Sequence, residues 1–439
     1  MTRSEPVRVL MLGWEYPPRF VGGLGKASQG VARGLTDLGA EVLFVLPRFK
    51  TSMTDTRLQV SGAREWLIEH GARIARKPGS PRLLGVAARL RPYARPTATV
   101  VDSADGWPGR RRPTATAGDA AALYGSDLGA EVMRFAEQVA AVADRTPADL
   151  VHAHDWMTFP AAMTAAERLR CPLFLHVHST EYDRSGEGVD PDIAAIEREA
   201  CLRADHVFAV SDYTRGMLVS RYGIDPEKVS VVYNAPDADA LPPAASFDPG
   251  RRRPWVVFLG RLTFQKGPDH FLRAAAEVAR LDPEARFLVC GSGDMLDDLR
   301  RQAHDLGVAG RVDFRGFLAP GAVDRLLAQS SLLVMPSVSE PFGLVALEAL
   351  RAGTPVILSR QSGVREVLGH SLQVDFWDHE KLADQILAVL RLPVLSRQLV
   401  EEGRAQLSRL SWDESAQRIA DAYARVARID VAARADPVA

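Results

Sequence analysis

Two carboxylates, Glu340 and Glu348, stand with seven residues between them in the stretch MPSVSEPFGLVALEALRAGT, which runs from Met335 to Thr354. The apolar run Leu332-Leu333-Val334-Met335 reads as a buried strand, and it stops at Pro336-Ser337. Leu344, Leu347, Glu348 and Leu350 then fall at helical spacing, and Gly353 and Pro355 end the helix where a C-terminal stop belongs. Glu340 therefore lies in a loop, the N–H groups of Phe342, Gly343 and Leu344 open a helix, and Glu348 sits one to two turns inside it. N–H groups at a helix start lack intrahelical acceptors and carry the positive end of the dipole, so they form an anion site. Glu348 lies too deep to compete for that anion and is better placed to accept hydrogen bonds from a diol. The plainer alternative is a helix with one exposed Glu near its start and another on its solvent face.

A second stretch offers phosphate chemistry of another kind. Gly13-Trp14-Glu15-Tyr16-Pro17-Pro18 leads to Gly22-Gly23-Leu24-Gly25-Lys26, and a helix follows to about Leu38. At Gly22 and Gly23 the backbone can approach a phosphate with no Cβ in the way. The dinucleotide fingerprint needs a tight turn and an acid closing the second strand. Here the turn is about ten residues long and the second strand, Glu41 to Leu46, closes on Pro47-Arg48. A P-loop fails too, because Ala27 follows Lys26 and Phe20 holds the first glycine position. A glycine-rich turn that only starts a helix is the plainer reading.

Strands and helices in alternation must position these groups. Val7 to Leu12, a helix, and Glu41 to Leu46 give βαβ order and hence a parallel sheet. Thr97 to Val101 is a strand candidate inside the irregular region 51–118, where Arg110-Arg111-Arg112 reads as a solvated loop. Asp119 to Asp144 reads as an Ala-rich helix. Further strands end at Leu150–Trp156, Pro172–His178, Val207–Val210 and Val229–Val232. Alternation puts His152 and His154 on one face, and His176 and His178 likewise. Four imidazoles at neighbouring strand ends can hold a metal, or can simply bond backbone groups. Residues 236–254 contain five prolines and little periodicity and read as a linker. Beyond it come Trp255–Leu259, Arg286–Cys290, Val312–Arg315, Leu332–Met335 and Pro355–Leu358, then a mostly helical Leu382–Leu410 and a last helix near Trp412–Ala427. The fold class is α/β.

With 439 residues, two domains are expected. A formal net charge of -1 gives no pull toward nucleic acid or an anionic membrane. Three scattered cysteines, Cys171, Cys201 and Cys290, make no disulfide framework or metal spacing, so a reducing cytoplasm is the expected setting. The N-terminal apolar run is too short for a signal peptide, and no run is long enough to span a membrane. Lysine occupies only six positions, which singles out Lys26 and Lys266.

The stretch E-P-F-G-L-V-A-L-E resembles the E-x7-E signature of retaining glycosyltransferases of family 4, which have the GT-B fold. G-R-L-T-F-Q-K-G at Gly260–Gly267 resembles the family's G-R-L-x-x-x-K-G motif. W-E-Y-P-P with G-G-L-G, and H-A-H-D-W, resemble segments of the glycogen- and starch-synthase-like members. The resemblance implies two Rossmann-like domains facing a cleft. Residues 1–240 would be the acceptor side, joined by helix 412–428 crossing back, and 251–410 would bind the nucleotide-sugar donor. Catalytic roles would fall to Arg261, Lys266, Glu340 and His154. Arg261 and Lys266 would stabilise charge on the departing diphosphate, Glu340 would hold the donor sugar, and His154 would lie beneath it. Donor contacts would come from Gly22, Gly23, Gly291, Gly293, Phe317, Phe342, Gly343, Leu344 and, at the ribose, Glu348. His178 and Glu181, in H-S-T-E-Y-D-R, would stand near the acceptor. Asn234-Ala235-Pro236-Asp237 departs from the family's usual Asn-Gly pattern at the hinge.

The implied reaction is transfer of a hexosyl group, glucosyl on the synthase-like segments, from a nucleoside diphosphate sugar to a carbohydrate hydroxyl with retention. The implied catalysis needs no metal or other cofactor. Asp190-Pro191-Asp192 and Asp237-Ala238-Asp239 match the Asp-x-Asp spacing of metal-dependent transferases but read as solvated turns. The alternatives are mannosyl or other hexosyl transfer to a lipid-linked acceptor with loose membrane contact, a zinc-dependent hydrolase built on the histidines, and an inactive sugar-nucleotide binding module.

Overall fold

The computed structural model describes residues 6–17, 22–48, 53–54, 57–69, 128–236, 252–429 and 431. The strand expected at Thr97–Val101, the arginines 110–112, the linker residues 237–251 and the first part of the helix expected from Asp119 lie outside them. Among the described residues the strands fall into two sheets. The first joins β1 (Arg8–Leu12), β2 (Glu41–Leu46), β3 (Met53–Thr54), β4 (Leu58–Gly62), β5 (Leu150–His154), β6 (Leu173–Val177), β7 (His206–Ala209) and β8 (Val229–Val231) in the order β3-β4-β2-β1-β5-β6-β7-β8. The second joins β9 (Arg253–Leu259), β10 (Arg286–Cys290), β11 (Val312–Gly316), β12 (Ser330–Met335), β13 (Val356–Ser359) and β14 (Leu372–Val374) in the order β11-β10-β9-β12-β13-β14. Every pairing is parallel except β3 with β4. Helices on both faces follow from strands such as Leu-Val-His-Ala-His and Leu-Phe-Leu-His-Val, whose residues are buried on either side.

Strand order reverses at one place in each sheet. In the first, β1 lies between β2 and β5; in the second, β9 lies between β10 and β12. Loops leaving strands at such a switch point diverge and open a crevice at their carboxyl ends. The loops in question are those after β1, described over Gly13–Pro17 and again from Gly22, and Asp155–Trp156 on one side, and Gly260–Gly267 and Pro336–Gly343 on the other. They carry most of the residues singled out by the sequence.

The helix Trp412–Ala427 returns to the first sheet. It packs on the helix Gly23–Asp37, where a Cβ on Gly30 would fall 2.2 Å from the Trp412 ring and one on Gly34 would fall 2.6 Å from Ala416 Cβ. Two glycines one turn apart thus let the helices approach closely. Tyr423 of this helix is fully buried beside Phe174, Phe208 and His152, so the first half's core is completed by a segment from beyond the second. The helical region expected over Leu382–Leu410 is two helices, His379–Arg391 and Pro393–Leu407. Pro393 fits a first helical turn but not an interior one.

Candidate active site

Lys266 and Glu340 meet at the reversal point of the second sheet. Lys266 Nζ donates to both carboxylate oxygens of Glu340, at 2.8 and 2.7 Å, and Ser337 Oγ donates to one of them at 3.2 Å. Glu340 is 6% exposed, so the charge is kept in a low-dielectric place by its partners. The backbone makes this meeting possible. Gly267 has φ 64°, and a Cβ there would fall 2.2 Å from the Pro336 carbonyl oxygen. The N–H of Val338 donates to Gln265 O at 3.0 Å, tying the loop after β12 to the loop after β9. Gly343, with φ 113°, then turns the chain into the helix Leu344–Arg351.

Arg261 is exposed on the same loop after β9. Gly291 and Gly293 shape that loop. A Cβ on Gly291, at φ 139°, would lie 1.7 Å from Gly260 O, and one on Gly293 would lie 2.2 Å from Leu262 O. Their hydrogens allow Gly260 N–H to reach Cys290 O and Leu262 N–H to reach Ser292 O, both at 3.0 Å. The two glycines therefore position Arg261 by backbone contact, a role the weak G-x-G pattern does not disclose. Phe317 is 58% exposed at the neighbouring strand end. Phe342 is buried, with its ring 6.1 Å from that of Tyr233.

The first half supplies a second helix start. A Cβ on Gly23 would sit 3.7 Å from Leu344 Cδ1, so the helices Gly23–Asp37 and Leu344–Arg351 begin against each other. Two helix starts, each with first-turn N–H groups that lack intrahelical acceptors and a positive dipole end, thus lie near each other, an arrangement that suits an anion. Lys26, one turn in, bonds Glu348, and both side chains are 19% exposed. This ion pair spans 322 residues of sequence and crosses between the halves, and local pattern gives no signal of it.

Residues 245–406 match the family model for glycosyl transferases group 1, and residues 98–240 match that for glycosyltransferase family 4. The D-inositol 3-phosphate glycosyltransferase of Streptomyces bingchenggensis is 32% identical over 340 residues, spanning 71% of this chain and 75% of that protein. The chain belongs to glycosyltransferase family 4. The glycogen synthase of Mycobacterium tuberculosis is 28% identical over 434 residues, 96% of the transferase and 94% of that synthase. Among solved structures, HepE from Anabaena, in complex with UDP and glucose, shares the fold with a TM-score of 0.64 at 18% identity, over 95% of this chain and 100% of that one. The fold is GT-B, with two Rossmann-like halves, and the enzyme is a hexosyltransferase. None of its described helices is long and apolar enough to cross a membrane.

The transferase stacks its histidines. His154 Nδ1 lies 2.9 Å from His178 Nε2, and His152 Nδ1 lies 2.5 Å from the Tyr423 hydroxyl. One ring nitrogen from each of His152, His154 and His176 lies within 4.8 Å of the others. Yet these three rings are 15–21° from coplanar orientation at 4.9–5.6 Å spacing. A nitrogen lone pair lies in its ring plane, so stacked rings direct theirs side by side rather than onto one tetrahedral centre. The set fits a stack and not a zinc site, and with the family shown the zinc-hydrolase alternative falls. Asp155, at φ 61°, is a strained turn that lets its Oδ1 accept from the N–H groups of His178 at 2.7 Å and Ser179 at 3.3 Å.

Glu181 requires a correction. It is 3% exposed, and its carboxylate accepts from Arg184, Ser185 Oγ and the N–H of Asp190. Its hydrogen-bonding capacity is used inside the first half, so a structural role replaces the acceptor contact expected from sequence. His178 remains half-buried at the end of β6. Asp190 caps the helix Pro191–Arg203, accepting from Asp192 and Ile193 N–H, as expected of a turn; Asp237-Ala238-Asp239 lies outside the described residues.

Burial, reinforced by neighbouring imidazoles, keeps His152, His154 and His176 well below the ordinary value; burial holds His178 at about 3 and His206 at about 4. Such groups stabilise fully above their unfolded value, about 6.5, and that contribution is lost as pH falls toward the folded values. Burial raises the carboxyls of Asp155, to about 7, and of Asp183 and Glu197, which act in the opposite direction and lose their contribution as pH rises. Burial also lowers His270 and His379, so seven described imidazoles outnumber three carboxyls, and the unfolding midpoint is expected to be lower at about pH 5 than at about pH 7. Thermal unfolding across that interval checks this; a level or inverted profile would mean the stack is not held neutral.

Proposed function

We propose that the enzyme moves a glucosyl group from a nucleoside diphosphate glucose to a carbohydrate hydroxyl, with retention at the anomeric carbon. The observation that carries the reading is the Lys266–Glu340 pair standing beside two converging helix starts. Kinship to glycogen synthase, and the fold shared with HepE in complex with UDP and glucose, support a glucosyl donor. In this reading Arg261 and Lys266 take the diphosphate, helped by backbone N–H groups near Gly22, Gly23 and Phe342–Leu344. Glu340 holds the hexose, His154 orients it, and Glu348 serves the ribose diol. Phe317 and the loop at Gly291–Gly293 border the base, and His178 faces the acceptor.

The bond from the anomeric carbon to the diphosphate oxygen breaks, and the acceptor oxygen bonds to the same face of that carbon. The acceptor proton passes to the departing phosphate oxygen. Negative charge grows on the diphosphate, where fixed cations and helix dipoles stabilise it without reorganising. Arg261 and Lys266 thereby do electrostatic work that a divalent ion does elsewhere.

The test is release of nucleoside diphosphate from UDP-, ADP- and GDP-hexoses, with and without EDTA. Acceptors are glycogen, inositol phosphate and a lipid-linked glycoside, the inositol arm prompted by the named relative. Release from one glucose donor, unaffected by chelator and dependent on a carbohydrate acceptor, is the expected result. Mannose release, or activity only with the lipid-linked glycoside, would replace donor or acceptor. Loss of release with EDTA, restored by a divalent ion, would sink the metal-independent mechanism.

A further inference from the structure

Glu340 is flanked by two residues that each bond the other half of the molecule. Ser339 Oγ donates to Asp183 Oδ1 at 2.5 Å, and the Tyr213 hydroxyl lies 2.9 Å from the same Oγ. Pro341 O accepts from Ser211 Oγ at 2.5 Å. Gly363 permits this approach, since a Cβ there would fall 2.1 Å from Pro341 O and 2.6 Å from Ser211. Alongside, Glu366 accepts from the N–H groups of Asp212 and Tyr213, both at 2.8 Å, at the start of the helix Asp212–Tyr222.

From its own half, the loop is held by the Lys266 and Ser337 bonds to the Glu340 carboxylate and by backbone bonds. Glu340 N–H donates to Gln361 O at 2.9 Å, and Glu340 O accepts from Gly363 N–H at 2.8 Å. Asp183 is itself immobilised. Its Oδ2 accepts from Thr180 N–H and Thr180 Oγ1, both at 2.7 Å, closing a capping box at the start of the helix Glu181–Ser185. Oδ1 is thereby presented to Ser339. Asp183 is 1% exposed and Ser339 7%, so water does not compete for the contact.

We propose that Asp183, with Tyr213, is a positioning residue for transfer: it seats Ser339 when the halves meet, and so fixes where Glu340 stands. The proposal rests on the reading of Glu340 and Lys266 as the donor-side pair. Asp183 touches neither substrate nor reacting atoms; it acts through the loop. Displacement of a sugar-holding group by a fraction of the reacting distance is enough to slow transfer strongly while leaving the nucleotide's other contacts intact.

The full-length chain is used, with Asp183→Asn, Ser339→Ala, their double variant and Lys266→Ala. Turnover and donor KM are measured with UDP-glucose and ADP-glucose on glycogen, nucleoside diphosphate affinity by calorimetry, and folding by thermal midpoint. The expected result is a loss of kcat of about 10- to 100-fold in each single variant, with diphosphate affinity within about twofold. The double variant should lose no more than the worse single one, because both remove the same contact. Unchanged kcat in Ser339→Ala, while Lys266→Ala is impaired, would overturn the proposal and spare the donor-side reading. Losses that multiply in the double variant would overturn it too, as would a loss in Asp183→Asn that tracks a fallen thermal midpoint while Ser339→Ala is normal. Full activity in Lys266→Ala would instead remove the donor-side reading and the proposal with it.

Discussion

Lys266→Ala is expected to lower kcat by about 100- to 1,000-fold, the equivalent of about 2.7–4 kcal/mol of barrier. The ammonium lies 2.7–2.8 Å from both Glu340 oxygens and is 20% exposed, so it is shielded and cannot be replaced by bulk water at equal effect. On the proposed reading, its positive charge is needed most when the diphosphate departs. The loss should therefore fall on kcat and on kcat/KM together, rather than on KM alone. Truncation also leaves Glu340 buried with Ser337 as its side-chain donor among the described residues, which is itself destabilising. Lys266→Ala/Glu340→Gln separates the two effects. It removes the stranded charge, so any recovery of the thermal midpoint without recovery of kcat assigns the kinetic loss to the missing cation. A wild-type kcat in Lys266→Ala would mean that the leaving group is stabilised elsewhere.

The largest expected loss of stability lies away from the reacting groups, at Arg184. Its side chain is 3% exposed and joins two buried carboxylates, Glu181 at 3.0 Å and Glu197 at 2.6 Å. A third nitrogen donates to Ser179 O at 3.0 Å, and the Tyr222 hydroxyl donates to Glu197. Arg184→Met keeps much of the volume but leaves Glu181 and Glu197 near each other without a cation. Breaking a buried pair by removing one partner typically costs about 3–5 kcal/mol. Chemical denaturation, followed at the first unfolding transition, should register a loss of that order. Arg184→Met/Glu181→Gln/Glu197→Gln should recover much of it, because neutral amides need no countercharge. A loss under about 1 kcal/mol in the single variant would show that the cluster is solvated in practice.

Much of this architecture could be read from residue order. Apolar runs closed by Gly or Pro placed β2 and β10 to the residue, and the last helix was expected near its observed bounds, Trp412–Ala427. The Lys266 and Glu340 loops were legible because each follows a buried strand directly, so local pattern fixes their place. The pairings were not. Lys26 with Glu348, Ser339 with Asp183 and Ser211 with Pro341 join positions 130 to 322 residues apart, and nothing within either neighbourhood encodes its partner. Glu181 was misread for a related reason. A carboxylate at a strand end looks alike whether it meets a ligand or an arginine three residues on, and only burial separates the two. The histidines shared a face, as alternation requires, but a shared face does not reveal whether rings stack or converge.

The returning helix also carries a consequence for how the molecule is made. Tyr423 fills a place among Phe174, Phe208 and His152, yet it leaves the ribosome only after every strand of the second sheet has been synthesised. Domains generally fold as units while the chain emerges. The first half cannot finish in that order, since its aromatic floor stays uncovered until Trp412–Ala427 arrives and lies against Gly30 and Gly34. The core on that face of the first sheet is therefore completed only after all strands of both sheets have been synthesised. Chains ending before Trp412 lack the helix that covers this face, so its aromatic residues are left without their cover.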